Sequence, residues 1–156
     1  FEIDAAMKDY GFPIGLFEMQ DLAGLDIGYA MRKRKVETRD PNERYVDIPD
    51  KIYELGRLGR KSGAGYYRYS DGKTSERDEL IENLIVNESI RKGIARRPIS
   101  ADKIMQTLLG AMKSEGEAIL AEEVANSAEA IDVVMVNGYG FPRWRGGPMF
   151  IAENAS

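Results

Sequence analysis

The chain has 156 residues, of which 43% are hydrophobic and 31% are charged, and its formal net charge is −4. A chain of this length and apolar content can bury a sizeable core, so it is expected to fold rather than to remain disordered. Because 22 basic side chains nearly balance 26 acidic ones, no global positive field is available for nucleic acid, and no nucleic-acid partner is expected.

The chain contains neither cysteine nor histidine. Their absence excludes disulfides, thiolate metal sites and a cysteine nucleophile, and it removes the ligands of ordinary zinc, copper and iron sites. The commonest general base near neutral pH is missing as well. We therefore expect no metal site. A membrane span is not expected either, because the sequence has no run of about 18 apolar residues.

The apolar residues follow a helical period along most of the chain. Ser100 precedes the longest predicted helix and is expected to cap its first turn. Strand patterns longer than a few residues are absent, so the sequence predicts an all-α fold of about seven helices. In chain order, helices are predicted over residues 4–10, 17–34, 49–57, 77–96, 100–125 and 132–139.

One short pattern occurs twice. Ile3-Asp4 recurs about 128 positions later as Ile131-Asp132, and Tyr10-Gly11-Phe12-Pro13 recurs as Tyr139-Gly140-Phe141-Pro142. A period of this length is too long for a solenoid and indicates duplication of a half-domain. We therefore predict two related helical half-domains packed with approximate twofold symmetry. Their ranges are a first copy at 1–57, a Gly/Tyr-rich connecting loop at 58–75 and a second copy at 76–156.

The repeated motif is expected to adopt the same backbone conformation in each copy. A glycine ends a short helix in a left-handed conformation, and the following Phe-Pro forces an extended exit before the next helix. We interpret these positions as structural residues that end one helix and turn the chain into the next, rather than as catalytic loops. The structural-motif residues are Gly11, Phe12, Pro13, Gly15, Gly140, Phe141, Pro142, Gly146 and Gly147.

Gly59, Gly63 and Gly65 give the connecting loop a superficial likeness to a dinucleotide-binding fingerprint. A true fingerprint leaves a β-strand and opens a helix. Here the glycines follow a predicted helix and lead into the extended segment Tyr66-Tyr67-Arg68-Tyr69. The pattern favours a turn, and no cofactor-binding residue is predicted in this chain.

Several charged positions allow two interpretations. Arg60, Lys61 and Arg68 are candidates for contact with phosphate groups or with a neighbouring domain. The basic run at 32–35 ends a predicted helix, where interaction with the helix dipole is the simpler role. Trp144 stands between two arginines and is either an interface anchor or a lid over the core. The acidic side chains at 115, 117, 122 and 123 are expected to be solvated or paired.

Three motifs in order span nearly the whole chain. The first is Ile3-Asp4 with Gly11-Phe12-Pro13-Ile14-Gly15, followed by Asp21-Leu22-Ala23-Gly24-Leu25-Asp26. The second is the Gly-Arg-Lys-Ser-Gly-Ala-Gly-Tyr-Tyr stretch at 59–67, and the third is Ile131-Asp132 with Gly140-Phe141-Pro142 and Arg145-Gly146-Gly147-Pro148. Together they resemble the C-terminal domain of 3-hydroxyacyl-CoA dehydrogenases. The tandem arrangement is similar to that of the multifunctional fatty-acid oxidation proteins, and the implied fold is like the C-terminal domain of 6-phosphogluconate dehydrogenase.

The resemblance implies that the intact protein oxidises (3S)-3-hydroxyacyl-CoA with NAD in fatty-acid beta-oxidation, and that it also carries an enoyl-CoA hydratase region. The family's catalytic histidine and glutamate lie in a Rossmann domain, and its assisting asparagine lies in a helix that would precede Phe1. The chain is therefore expected to hold no catalytic residue and no cofactor, to be inactive alone, and to shape the acyl-CoA cleft and the contacts between domains and subunits.

The implied partners are the acyl-CoA substrate, the Rossmann domain of the full-length protein and a second copy in a homodimer. The phosphates of CoA, or a neighbouring domain, then become the expected contacts of Arg60, Lys61 and Arg68. The implied compartment is the cytoplasm of a bacterium, or the mitochondrion or peroxisome of a eukaryote. An alternative function is a non-catalytic oligomerisation module of the same fold. A dehydrogenase of the 6-phosphogluconate type fits the Gly-Phe-Pro and Gly-Arg-Lys motifs poorly.

In the second copy the repeated motif is preceded by the long helix predicted at 100–125, and an equivalent helix for the first copy would precede Phe1. Its absence would leave apolar surface uncovered, and we expect the chain to self-associate so that a second copy covers this surface. The residues expected at this surface are Ile14, Phe17, Leu22 and Leu25.

Overall fold

The computed structural model describes residues 1–40 and 45–154. Within these residues the chain is helical, and backbone pairing of the β type is limited to isolated antiparallel bridges between positions 59 and 76. The predicted all-α class is therefore confirmed. The helices are α1 (Glu2–Tyr10), α2 (Leu16–Ala23), α3 (Leu25–Arg34), α4 (Ile48–Glu54), α5 (Glu79–Arg91), α6 (Ala101–Ala121), α7 (Ala128–Gly138) and α8 (Pro148–Asn154), with short 3-10 turns at Arg60–Ser62 and Arg143–Arg145.

One compact unit consists of Phe1 and Leu16–Arg97. Its helices pack in chain order, α2 on α3, α3 on α4 and α4 on α5. Ile52 of α4 and Ile81 of α5 are fully buried, and each contributes roughly 1.5 to 3 kcal/mol of burial free energy. Three buried tyrosines from the loop at 58–75 complete the same core, so this loop is part of the fold rather than a linker.

The other compact unit consists of Glu2–Gly15 and Pro98–Ser156. In this unit α6 contacts α1 and α8, and α7 contacts α8. Phe12 and Phe141, one from each Gly-Phe-Pro corner, meet edge to face with ring centroids 5.3 Å apart. Such a pair contributes about 0.5 to 1.5 kcal/mol beyond its burial. The two corners therefore share one buried aromatic contact.

The compact units do not follow the ranges of the sequence repeat. Helix α1, from the first repeat, belongs to the unit that also holds α6 to α8, whereas α5, from the second repeat, belongs to the unit of α2 to α4. A repeat describes similarity between sequences and a unit describes contacts, so the division into copies at 1–57, 58–75 and 76–156 stays a prediction. The approximate twofold relation also stays a prediction.

Local backbone geometry explains where the predicted helices were wrong. The helix predicted at 17–34 is interrupted at Gly24, whose φ of 103° lies outside helical conformation, so α2 and α3 are separate. The helix predicted at 77–96 ends at Arg91, because Gly93 has a φ of 63°. Ser100 accepts a hydrogen bond from the backbone N–H of Lys103 at 3.3 Å, which confirms the predicted cap of α6.

The apolar surface that was expected to be uncovered is largely covered. Leu25 is buried in the core of α3, α4 and α5, and Ile14 and Phe17 are partly buried. Leu22 is 56% exposed. The expectation was therefore wrong for Leu25, whose neighbours on α4 and α5 cover it, and right for Leu22.

Candidate functional site

A buried carboxylate organises the loop that follows α4. Asp21 of α2 is fully buried, and its oxygens accept hydrogen bonds from the backbone N–H groups of Tyr66 and Tyr67, both at 2.9 Å. The hydroxyl of Tyr69 donates a third bond at 3.0 Å. A buried carboxylate with three donors is well satisfied, so Asp21 fixes the path of the loop instead of acting as an acid or base toward a ligand.

Two glycines allow the loop to approach Asp21. A Cβ on Gly65 would overlap the Asp21 carboxylate, and a Cβ on Gly59 would overlap the Asp21 backbone carbonyl. Gly59 also has a φ of 94°, a conformation that residues with a Cβ rarely adopt. These two glycines of the superficial fingerprint are therefore needed for packing against α2.

Arg57 holds the same loop through its carbonyl groups. The Arg57 Nε donates to the Gly65 carbonyl at 2.8 Å, and a terminal nitrogen donates to the Tyr67 carbonyl at 3.3 Å. The guanidinium also pairs at 2.9 Å with Asp78, which is the N-cap of α5, and both of these side chains are largely buried. The loop is therefore bound to α2 through Asp21 and to the start of α5 through Arg57.

Burial changes the titration of this cluster. Burial raises the pKa of the Asp21 carboxyl above its usual range, although the N–H groups of Tyr67 and Tyr66, the Tyr69 hydroxyl and the Arg57 charge each lower it in part. Burial and, after it, the Asp21 charge also raise the pKa of the Tyr69 phenol. The phenol therefore stays protonated and remains a hydrogen-bond donor to Asp21.

The hydrogen bonding of the loop does not fit a dinucleotide such as NAD. Phosphate-binding loops present several backbone N–H groups to the ligand. Here the N–H groups of all three loop glycines donate to carbonyls within the loop, and those of Tyr66 and Tyr67 donate to Asp21. The donors that would bind a pyrophosphate are thus used within the chain.

The three basic residues predicted to contact CoA or a neighbouring domain lie on this loop. Arg60 donates to a loop carbonyl at 2.5 Å, Lys61 pairs with Asp26 at 2.6 Å, and Arg68 pairs with Glu76 at 3.3 Å. The Lys61 and Arg68 side chains remain about half exposed. The structure therefore places all three at the surface of one ordered loop, each with a different internal partner.

A second buried aspartate caps α8. The Asp132 carboxylate accepts hydrogen bonds from the backbone N–H groups of Met149 and Phe150, both at 2.8 Å. These are donors that the first turn of a helix leaves without a backbone partner. Gly147 permits the approach, because a Cβ there would overlap the Asp132 side chain. The Asp132 carboxylate therefore packs directly against Gly147 of the second motif.

The first motif shows the same pairing. Asp4 is 1% exposed, and a Cβ on Gly15 would overlap its side chain. Sequence reasoning identified the aspartates and the glycines as repeated positions but did not pair them. The signal was the recurrence of an aspartate at the buried side of a short helix before each corner, since a buried carboxylate requires donors nearby.

Other candidates from the sequence remain at the surface. Trp144 is 74% exposed and lies against the Gly11 backbone, which favours an interface anchor over a lid on the core. Arg32, in the basic last turn of α3, pairs with Asp50 at 2.7 Å. The glutamates at 115, 117, 122 and 123 are exposed, and Glu117 pairs with Lys113, in agreement with the expectation that they are solvated or paired.

Across residues 1–40 and 45–154, no group of three or more potential ligands is placed to hold a metal ion. In the same part of the chain, no helix combines the length and apolar content that crossing a bilayer requires.

Comparison with known proteins identifies related chains. The family model described as 3-hydroxyacyl-CoA dehydrogenase, C-terminal domain, matches residues 1–69. A peroxisomal bifunctional enzyme from Danio rerio is 43% identical over 165 residues, which cover 97% of this chain and 23% of that protein. A fatty acid oxidation complex subunit alpha from Vibrio cholerae is 32% identical over 147 residues, which cover 94% of this chain and 20% of that protein.

A solved structure supports the same relationship. The dehydrogenase part of multifunctional enzyme 1 from C. elegans superposes with a TM-score of 0.65 at 25% identity, covering 90% of this chain and 31% of that one. The chain spans less than a quarter of the length of the curated relatives named above. The resemblance found in the motifs is thus confirmed, and residues 1–69 of this chain match the C-terminal domain of 3-hydroxyacyl-CoA dehydrogenases.

Proposed function

We propose that this chain acts as the helical C-terminal part of an NAD-dependent (3S)-3-hydroxyacyl-CoA dehydrogenase of fatty-acid beta-oxidation. The family match at residues 1–69 supports this proposal. So do the relatives, whose names describe bifunctional and fatty-acid oxidation proteins. Because the chain covers only 23% of the first of these relatives, the activity would belong to a longer polypeptide that also carries the NAD-binding Rossmann domain.

Within such a protein, the chain would shape the acyl-CoA cleft and hold neighbouring domains. The observation that carries this role is the loop fixed by Asp21, whose backbone donors are used internally while Arg60, Lys61 and Arg68 lie at its surface. An ordered loop with exposed cations loses little conformational freedom when it meets the phosphates of CoA or an acidic domain surface. We propose contact with CoA or with the neighbouring domain as the task of these three residues.

A chimeric enzyme tests this function. Residues 1–156 would replace the matching region of the Danio rerio bifunctional enzyme, and NAD reduction with a 3-hydroxyacyl-CoA would be measured. We expect dehydrogenase turnover within about tenfold of the parent enzyme, a change of about 1.4 kcal/mol in activation free energy. The two sequences are 43% identical over this region, and cores tolerate substitutions that conserve volume. A matched chimera carrying Glu115→Gln, an exposed position on α6, should behave like the unsubstituted one.

The other activity of the bifunctional parent serves as the control for folding. A chimera that keeps this activity and binds NAD, yet shows no dehydrogenase turnover, would contradict the proposal. If that inactive chimera still assembled into the parent's oligomer, the chain would be an oligomerisation module instead. For a eukaryotic source, the peroxisomal names of several relatives make the peroxisome the proposed compartment.

A further inference from the structure

An open groove lies on the surface of α7, beside the 3-10 turn at Arg143–Arg145 and the start of α8. It has a volume of about 330 Å³, at the lower end of the range for ligand pockets. Val133 and Phe150 supply apolar walls and are 59% and 53% exposed, while Glu129 lies at one edge. Such a groove suits side chains of an extended peptide better than an enclosed small molecule.

The sequence repeat identifies the matching positions in the first copy. With the shift that aligns Ile3-Asp4 with Ile131-Asp132, Phe1 corresponds to Glu129. With the shift that aligns Gly15 with Gly147, Glu18 corresponds to Phe150. The two ends of the groove therefore have direct counterparts at the start of α1 and in the first turn of α2.

In the first copy both counterparts are covered by the chain itself. The ring of Tyr67 meets the Phe1 ring edge to face at 4.9 Å, and the guanidinium of Arg77 lies 4.7 Å from the same ring. The hydroxyl of Ser75 donates to Glu18 at 2.6 Å. The segment 67–77 thus supplies one aromatic ring, one hydroxyl and one cation to this surface.

We propose that the groove on α7 and α8 binds an extended peptide segment of a partner polypeptide, carrying an aromatic residue and a basic residue in the manner of segment 67–77. In the first copy the ring and the cation both lie on Phe1. The groove instead has a charged residue, Glu129, at one end and an aromatic residue, Phe150, at the other, so the two side chains of the peptide would bind at different ends. Phe150 stands where the first copy has Glu18, so the ring would pack on Phe150 and Val133.

A charge in the groove determines which residue type would bind at the other end of the peptide. Glu129 stands where the first copy has Phe1, and it is exposed, so a basic residue would form an ion pair there. A hydrogen bond from Ser127 keeps the pKa of Glu129 below its usual value. The cation of Arg143 at the groove is already directed to the Asn137 side chain at 3.0 Å. Because the Asn137 amide is neutral, Arg143 keeps its positive charge, and Glu129 is the exposed negative charge among the residues that line the groove.

A synthetic peptide with the sequence of residues 64–78, labelled with a fluorophore, is the probe. Binding to the 156-residue chain would be followed by fluorescence anisotropy. We expect saturable binding that Phe150→Ser weakens about tenfold, as loss of an apolar anchor does. Val124→Ser removes another exposed apolar side chain of the same unit, one that does not line the groove, and should leave binding unchanged. Thermal melts by circular dichroism establish that each variant is folded.

Charge reversal gives a second, independent readout. Glu129→Lys should weaken the peptide, and a peptide carrying Arg77→Glu should recover binding to that variant but not to the unsubstituted chain. Absence of saturable binding, or equal affinity for every folded variant, would overturn the proposal. So would a chain whose dimer dissociates on Phe150→Ser without any peptide effect, because the groove would then be occupied by a second copy.

Discussion

Asp132 and Gly147 lie in direct contact at the start of α8, where the glycine leaves room for the carboxylate that caps the helix. The same relationship links Asp4 with Gly15, and Asp21 with Gly65. Each buried aspartate among the described residues therefore faces a glycine. Carboxylates that are removed from water need backbone donors at close range, and glycine is the residue that permits such an approach.

Gly147→Ala should destabilise the chain by about 2 kcal/mol or more, as backbone strain combined with a steric overlap in a buried site does. Gly147 has a φ of 138°, and its added Cβ would overlap the Asp132 side chain. Urea unfolding followed by circular dichroism measures the change in the free energy of unfolding. The expected loss comes from displacement of the cap of α8.

Gly138→Ala is the matched control for that substitution. Gly138 is the last residue of α7, and a Cβ there meets nothing within 4 Å. Alanine should be neutral or should stabilise the helix by up to about 1 kcal/mol. Equal losses for the two variants would show that the contact between Asp132 and Gly147 has no special role in stability.

Asp21→Asn should remove a component of the pH dependence of stability. Because burial raises the pKa of Asp21 in the folded chain, the folded state holds this proton more tightly than the unfolded state does. Asp21 therefore favours the folded state most below its unfolded pKa, and that contribution is lost as the pH rises through the folded value. The measured quantity is the free energy of unfolding of the unsubstituted chain minus that of Asp21→Asn. This difference should fall as the pH rises from 3.8 through the folded pKa of Asp21.

Urea unfolding of both chains at a series of pH values measures this difference, in which the other carboxyl groups cancel. At neutral pH the variant should still be less stable, by about 1 to 3 kcal/mol, because an amide cannot accept from every donor that Asp21 satisfies. A difference that rises with pH would mean that hydrogen bonds from Tyr66, Tyr67 and Tyr69 outweigh burial. The pKa of Asp21 would then be lowered.

The isolated chain should neither bind NAD nor reduce it with a 3-hydroxyacyl-CoA. The loop glycines of the superficial fingerprint direct their N–H groups to carbonyls within the chain, and the sequence contains no histidine to act as a base. Calorimetric titration with NAD and a spectrophotometric assay check the two parts separately. Heat of binding at micromolar NAD, or turnover above a blank without protein, would contradict this expectation.

Helical periodicity was sufficient to predict the helical class, and the three motifs were sufficient to predict the resemblance that residues 1–69 confirm. They did not predict the break at Gly24, because the apolar pattern continues across the glycine and only its φ of 103° separates α2 from α3. The Asp21 cluster was also missed. Its partner Tyr66 is 45 positions away, so no local pattern reports the contact, although both residues belong to motifs that were recognised separately.

Neutralising the loop cations should raise KM for acyl-CoA in the chimeric enzyme. If Arg60, Lys61 and Arg68 contact CoA phosphates, Lys61→Met combined with Arg68→Met should raise KM by about tenfold or more and leave kcat nearly unchanged, since the lost interactions are equal in the ground and transition states. Lys103→Met, at an exposed position in α6, is the matched control. An unchanged KM would assign these cations to a neighbouring domain instead.

We expect the chain to form a homodimer through the exposed face of α2 and α3. Leu22, Ile27 and Met31 are each more than half exposed, and Ile27 and Met31 lie one turn apart on α3, so they share a face. Burying them in a partner would contribute roughly 1.5 to 3 kcal/mol for each fully covered side chain. Ile27→Ser with Met31→Ser should convert the dimer to a monomer in light scattering, whereas Ile90→Ser, which removes an exposed side chain from α5, should not. A monomeric unsubstituted chain at high concentration, or a double variant that still dimerises, would show that this face does not mediate self-association.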